Sequence, residues 1–134
     1  FIVLNPGRII GPVIYNKIPE SYCTIIEALN LCTSNINNNE TVKNYHSSYC
    51  DVRDVANIIV YAILHLTTER YIISFEMKEL KDYCDMISDK KINFIKDDNI
   101  FEFENSFKNY TYIPFMQSIM DSIHSIEKKE NGTF

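Results

Sequence analysis

The chain has 134 residues, 46% of them hydrophobic and 23% charged, with a net charge of −5, the profile of one globular domain with a modest core. Its basic residues are scattered, with Lys90-Lys91 and Lys128-Lys129 the densest groups, which argues against a nucleic-acid partner because neutralising phosphates takes clustered Lys and Arg. No apolar run reaches the roughly 18 to 20 residues of a membrane helix, and Phe1 to Leu4 is too short for a secretory signal.

Phe1 to Leu4 is an apolar run closed by Asn5-Pro6-Gly7, which fits the end of a parallel strand buried on both faces. Gly11-Pro12 makes a second break, so Arg8-Ile9-Ile10 reads as a short loop or turn held by two glycines and two prolines. Pro19 to Cys32 reads as a helix, with Ser21 as its N-cap and Ile25, Ile26, Leu29 and Cys32 on one face. The Asn-rich stretch from Asn35 to Asn39 reads as a surface loop. Asp54 is expected to cap a helix whose apolar positions Val55, Ile58, Ile59, Ala62, Ile63 and Leu66 follow a period of about 3.6 residues. Tyr71-Ile72-Ile73 then reads as a buried strand, and Met77 to Ile87 as a helix burying Met77, Leu80, Cys84 and Ile87. A strand follows at Ile92 to Ile95. The last helix opens at Pro114 and buries Phe115, Ile119, Ile123 and Ile126. Glu127 to Phe134 is expected to fray. Strands alternating with helices indicate an α/β protein.

The four cysteines (Cys23, Cys32, Cys50, Cys84) include no Cys-x-x-Cys pair, and the three histidines no His-x-x-x-His. The expectation is reduced thiols in a cytoplasmic protein, with no metal site. The sequons at Asn39, Asn109 and Asn131 are what so much Asn, Ser and Thr produces by chance and carry no weight as a sign of secretion. The chain does not begin with Met, so we expect it to start within a longer protein.

Two segments carry a resemblance to a known family. One is Leu4-Asn5-Pro6-Gly7-Arg8-Ile9-Ile10-Gly11-Pro12 and the other is Tyr49-Cys50-Asp51-Val52-Arg53-Asp54-Val55-Ala56. In this order they resemble the extended short-chain dehydrogenase/reductases of the epimerase/dehydratase superfamily, and within them the dihydroflavonol reductase and yeast-type methylglyoxal/ketone reductase branch. Arg70 to Ser74, Met77 to Ile87 and Phe107 to Lys128 follow as weaker matches, so the resemblance covers nearly the whole chain.

The resemblance implies the C-terminal portion of a Rossmann-like fold, the last parallel strands plus a small substrate-binding helical lobe. Residues 1–12 would then be the strand and the loop on the cofactor side. It implies that Pro6, Gly7, Arg8 and Ile9 pass the nicotinamide end of NADP or NAD, with backbone groups on the carboxamide. Gly7 would allow close approach and Pro6 would fix the turn. Ser21 is carried over as a weaker cofactor contact. Arg8 and Val52 are expected beside the substrate, Arg8 either accepting an anionic group or pointing to solvent. Asp51 and Arg53 are expected to pair locally.

No catalytic residue is assigned. The family's glycine-rich pyrophosphate turn needs more than Gly7, Gly11 and Gly132, and none of the nine tyrosines begins a Tyr-x-x-x-Lys. The resemblance places both upstream of Phe1. The implied activity is NAD(P)H-dependent reduction of a small ketone or aldehyde by a longer chain. The alternatives are a truncated, non-catalytic piece, or a nucleotide-sugar epimerase or 3β-hydroxysteroid dehydrogenase on the same fold. Substrate, cofactor choice and monomer versus dimer stay open.

Overall fold

A computed structural model describes every residue except 15–16, 38–39, 100–102 and 131–134. The sequons at Asn39 and Asn131, the end of the Asn-rich stretch and the last four residues of the tail lie outside the described residues.

β1 (Val3–Pro6) pairs in parallel with β5 (Arg70–Ile73). The chain then crosses at Gly7 into a second sheet. There Arg8 to Ile10 is not the loop or turn expected but a strand, β2 (Arg8–Ile10), because it pairs in parallel with β4 (His46–Asp51), which in turn pairs antiparallel with β6 (Glu76–Glu79). A third, parallel pair joins β3 (Thr41–Lys43) and β7 (Asn93–Ile95). The helices are α1 (Cys23–Thr33), α2 (Val52–His65), α3 (Leu80–Ile87) and α4 (Phe115–Glu130). The expected α/β class holds, and no helix among the described residues is long and apolar enough to cross a membrane.

Two hydrophobic clusters flank the crossing. The larger joins Ile10 and Tyr49 of the second sheet to Ile25 of α1, Leu80 and Tyr83 of α3, and Phe115 and Ile119 of α4. The smaller gathers Cys50, Val55, Ile58, Ile73 and Tyr112 under α2. β2 therefore sits between two cores, with its outward residues left to line whatever lies beside it.

Several boundaries differ from expectation, each for a physical reason. Asp54 does not cap α2. That position belongs to Asp51, extended at φ −77° and ψ 142°, whose carboxylate accepts from Arg53 N at 2.9 Å. Asp54, only 2% exposed, instead accepts from the Tyr110 hydroxyl at 3.0 Å and from Ile113 N at 2.9 Å, tying α2 to the segment before α4. Ser21 does not cap α1 either. It lies inside a 3₁₀ turn (Glu20–Tyr22) closed by Tyr22 N on the Pro19 carbonyl at 3.0 Å, and α1 starts after it.

The helix expected from Met77 starts at Leu80. Met77 is drawn into β6 opposite Ser48, and Glu79 N donates to Asp82 Oδ2 at 2.7 Å to open α3. β1 is not buried on both faces, since Val3 and Leu4 are half-buried and Asn5 and Pro6 exposed. On α2 the buried stripe is Asp54, Val55, Ile58 and Ala62, while Ile59 and Ile63 face outward. The tail is ordered further than expected. α4 continues to Glu130, with Ile126 buried and Lys129 Nζ on the Lys17 carbonyl at 3.0 Å. Lys128 and Lys129 in its last turn also suit the negative end of the helix dipole.

Candidate functional site

The strand direction sets the site. β1 ends at Pro6 and the chain changes sheets immediately, so residues 6–8 lie beyond the carboxyl end of a parallel strand at a switch between sheets. Open α/β folds bind ligands at such a place. Gly7 N donates to the Ile73 carbonyl at 2.9 Å, so its only backbone donor is already used. A Cβ at Gly7 would stand 2.6 Å from Ser48 Oγ and 3.1 Å from the Ser48 backbone. The missing side chain thus lets β4 approach. The close packing expected against a ligand is met from within the chain.

Beside this crossing is an open groove of about 510 Å³, lined by Pro6, Gly7, Arg8, Glu20, Ser21, Cys23, Ser47 and Ser48. Ile9 and Val52 lie in a separate, largely apolar hollow of about 260 Å³, with Ile10, Pro12, Val13, Ile14, Pro19 and Tyr22. Ser21 borders both. The structure therefore brings Pro6, Gly7, Arg8 and Ser21 together and puts Ile9 and Val52 on the other side. This separation follows from strand alternation, which sends the side chains of Arg8 and Ile9 to opposite faces of β2.

Arg8 is half-buried. Its Nη1 donates to Thr24 Oγ1 at 2.6 Å and to Cys23 Sγ. Thr24 also receives the Tyr45 hydroxyl at 3.2 Å, and that hydroxyl reaches Glu27 at 2.8 Å. The guanidinium is thereby held by side chains from the start of α1. Behind β2, burial pushes the Cys50 thiol up to about 12, and its Sγ donates to the Gly7 carbonyl at 3.8 Å. Cys50 is a packing residue and no nucleophile.

The far end of β2 is clamped by groups that the sequence reading passed over. Gly11 takes φ +115°, and a Cβ there would stand 2.8 Å from Asp51 Oδ2. Gly11 N donates to Ser122 Oγ at 2.8 Å, Val13 N to Ser125 Oγ at 3.0 Å, and the Tyr22 hydroxyl to the Gly11 carbonyl. Ser118 Oγ donates to Asp51 Oδ2 at 2.7 Å. Arg53 pairs with Asp51 at 2.8 Å through Nε and with Asp121 at 2.7 Å through Nη2, as local pairing of Asp51 with Arg53 led us to expect. Burial raises the Asp51 carboxyl, but the Arg53 and Ser118 hydrogen bonds outweigh it and hold the group below its ordinary value. For Asp54, burial prevails over its two donors and the carboxyl is raised. Ser118, Ser122 and Ser125 follow the same helical spacing as Ile119 and Ile126. That spacing was the available signal.

Chemically, the groove offers one fixed cation, hydroxyls and a peptide carbonyl. It can bind and orient a ligand; of its other ionisable side chains, Cys23 takes a hydrogen bond from Arg8, and Glu20 makes no ion pair among the described residues.

No protein-family model and no curated relative matches this sequence. Solved structures do. The chain is similar to Gre2 from Candida albicans, with a TM-score of 0.71 at 18% identity over 96% of this chain and 44% of that one. It is similar to the yeast methylglyoxal/isovaleraldehyde reductase Gre2 complexed with NADPH, with a TM-score of 0.70 at 18% identity over 96% of this chain and 47% of that one. A nucleoside-diphosphate-sugar epimerase from Pseudomonas aeruginosa gives 0.69 at 13% identity over 99% and 49%. The chain thus spans about half the length of these proteins. At such identities the likeness is one of fold: the molecule has the architecture of the C-terminal part of the Rossmann-like fold shared by short-chain reductases and nucleotide-sugar epimerases.

Proposed function

We propose that this chain is the substrate-side, C-terminal part of an NAD(P)H-dependent short-chain reductase that reduces a small ketone or aldehyde. The observation that carries the reading is the groove at residues 6–8, beyond the end of β1 where the chain changes sheets. It coincides with the place where open α/β folds take their ligands. The fold likeness to a reductase complexed with NADPH supports the same reading.

The residues fit a nicotinamide carboxamide. The Ser21 and Ser48 hydroxyls line the groove with no side-chain partner among the described residues, and the Gly7 carbonyl accepts from the weak Cys50 thiol. When bound, the cofactor supplies hydride. Pro6 and Gly7 form a rigid wall without bulky side chains, Ser21 and Ser48 orient the amide, and Ile9 and Val52 contribute apolar surface on the far side of β2. No tyrosine here begins a Tyr-x-x-x-Lys, so on this reading the proton comes from a residue of the longer protein. NADPH is the cofactor we favour, from its presence in the reductase neighbour.

The epimerase-like fold match gives a second reading, action on a nucleotide sugar, on the same cofactor wall. The coding sequence upstream of Phe1 tests both readings against a non-catalytic piece. The proposal expects an in-frame stretch bearing the glycine turn and Tyr-x-x-x-Lys, and the longer product should oxidise NADPH with a ketone or aldehyde. A start codon directly before Phe1, or an upstream product that turns over only nucleotide sugars, would contradict it.

A further inference from the structure

We infer that Arg8 forms a binding site for an anion, the carboxylate or phosphate of a small ligand, in the groove beside β2. On the reductase reading given above, that anion is the acidic end of the carbonyl substrate.

Arg8 lacks a carboxylate partner among the described residues. An arginine taken partly out of water is normally matched by a carboxylate. The two other arginines are no guide: Arg53 has Asp51 and Asp121, and Arg70 is exposed. Among the described residues Arg8 makes no ion pair. Both of its hydrogen bonds leave from Nη1 and end on Cys23 Sγ and Thr24 Oγ1, neither of them a carboxylate. Among the described residues, Nε and Nη2 therefore have no acceptor. These two parallel donors form one edge of the guanidinium, the edge that meets a carboxylate or phosphate two-pronged.

The surroundings agree. Ser21, Ser47 and Ser48 bring hydroxyls to the same groove, and Pro6 presents no N–H. Glu20 lines the groove too, but it is exposed and unpaired with Arg8, so it leaves the guanidinium's charge available. Holding Nη1 on Thr24 fixes the plane of the fork before a ligand arrives, which lowers the ordering cost of binding.

The test uses the 134-residue chain and reads the Arg8 Nε–H resonance by NMR. It is titrated separately with 2-oxobutanoate, with its methyl ester and with inorganic phosphate. We expect a saturable shift with 2-oxobutanoate or phosphate and none with the ester, and whichever anion binds tighter identifies the source. Arg8→Lys, which keeps the charge and loses the fork, should weaken carboxylate binding about tenfold. Arg8→Leu should abolish it, checked by competition at the Ser21 and Ser48 amides. Equal shifts with acid and ester, or none with either anion, would overturn the inference. Shifts of the Gly7 and Ile9 amides by NADPH report the reductase reading separately, so either claim can fail while the other stands.

Discussion

At the scale of single residues, Gly11 and Gly7 look alike in the sequence but do different work. Gly11 combines φ +115° with an Asp51 carboxylate where its Cβ would go. Gly11→Ala should cost about 2 to 3 kcal/mol in urea unfolding, from backbone strain and displacement of a paired carboxylate. Gly7 has no such backbone angle. Gly7→Ala should cost less, because the nearest atom, Ser48 Oγ, can rotate away. Asp51 and Asp54 should act oppositely in acid. The Asp51 carboxyl lies below its ordinary 3.8, so its contribution is complete above that pH and fades as pH falls through the folded value. The Asp54 carboxyl is raised, so its contribution is present below 3.8 and is lost as pH rises through its folded value. Asp51→Asn should therefore flatten the loss of stability below pH 4, whereas Asp54→Asn should remove the gain in stability that falling pH brings between the raised folded value and 3.8. Urea midpoints measured against pH check both. Equal slopes for the two variants would refute the assignment. From the sequence these roles could not be separated, since Asp51 and Asp54 both stand at a helix start and only the fold brings Tyr110 and Ile113 to one of them.

At the scale of elements, regular periodicity was readable and paired edges were not. α2 was legible because its apolar positions repeat along the helix; β5 and β7 were legible as short apolar runs. β4 was not, because its sequence His46 to Asp51 is polar and its burial comes from neighbours far along the chain. β6 was absorbed into the following helix for the same reason: Glu76-Met77-Lys78-Glu79 has good helix formers, and only pairing with β4 makes it a strand. The serines of α4 extend this point. Ser122 satisfies the buried Gly11 N–H, while Ser125 serves the half-buried Val13. Ser122→Ala should cost about 1 to 3 kcal/mol and Ser125→Ala less, because an unsatisfied N–H costs more where water cannot reach it. Equilibrium unfolding of the two variants gives the comparison. A larger loss for Ser125→Ala would mean that α4 does not clamp the loop in this way.

At the scale of the whole molecule, one helix face has no cover among the described residues. Ile63 is 73% and Leu64 69% exposed, with Val60 and Ile59 beside them. So large an apolar surface favours association. The 134-residue chain is expected to self-associate at micromolar concentration, and Ile63→Lys with Leu64→Glu should shift it toward monomer in light scattering. A monomeric wild-type chain with a sharp cooperative melt would count against this. The candidate site was legible only in part. Pro6 to Arg8 and Ser21 do meet in one groove, but the division from Ile9 and Val52, and the contributions of Ser47 and Ser48, depend on β4, which local sequence did not announce.

The central claim is that the crossing at residues 6–8 faces the nicotinamide end of a cofactor. A backbone amide titration of the chain with NADPH tests it most directly. Saturable shifts gathered at Gly7, Arg8, Ile9, Ser21 and Ser48 are the predicted result. Shifts scattered elsewhere, or none up to millimolar NADPH, would contradict it.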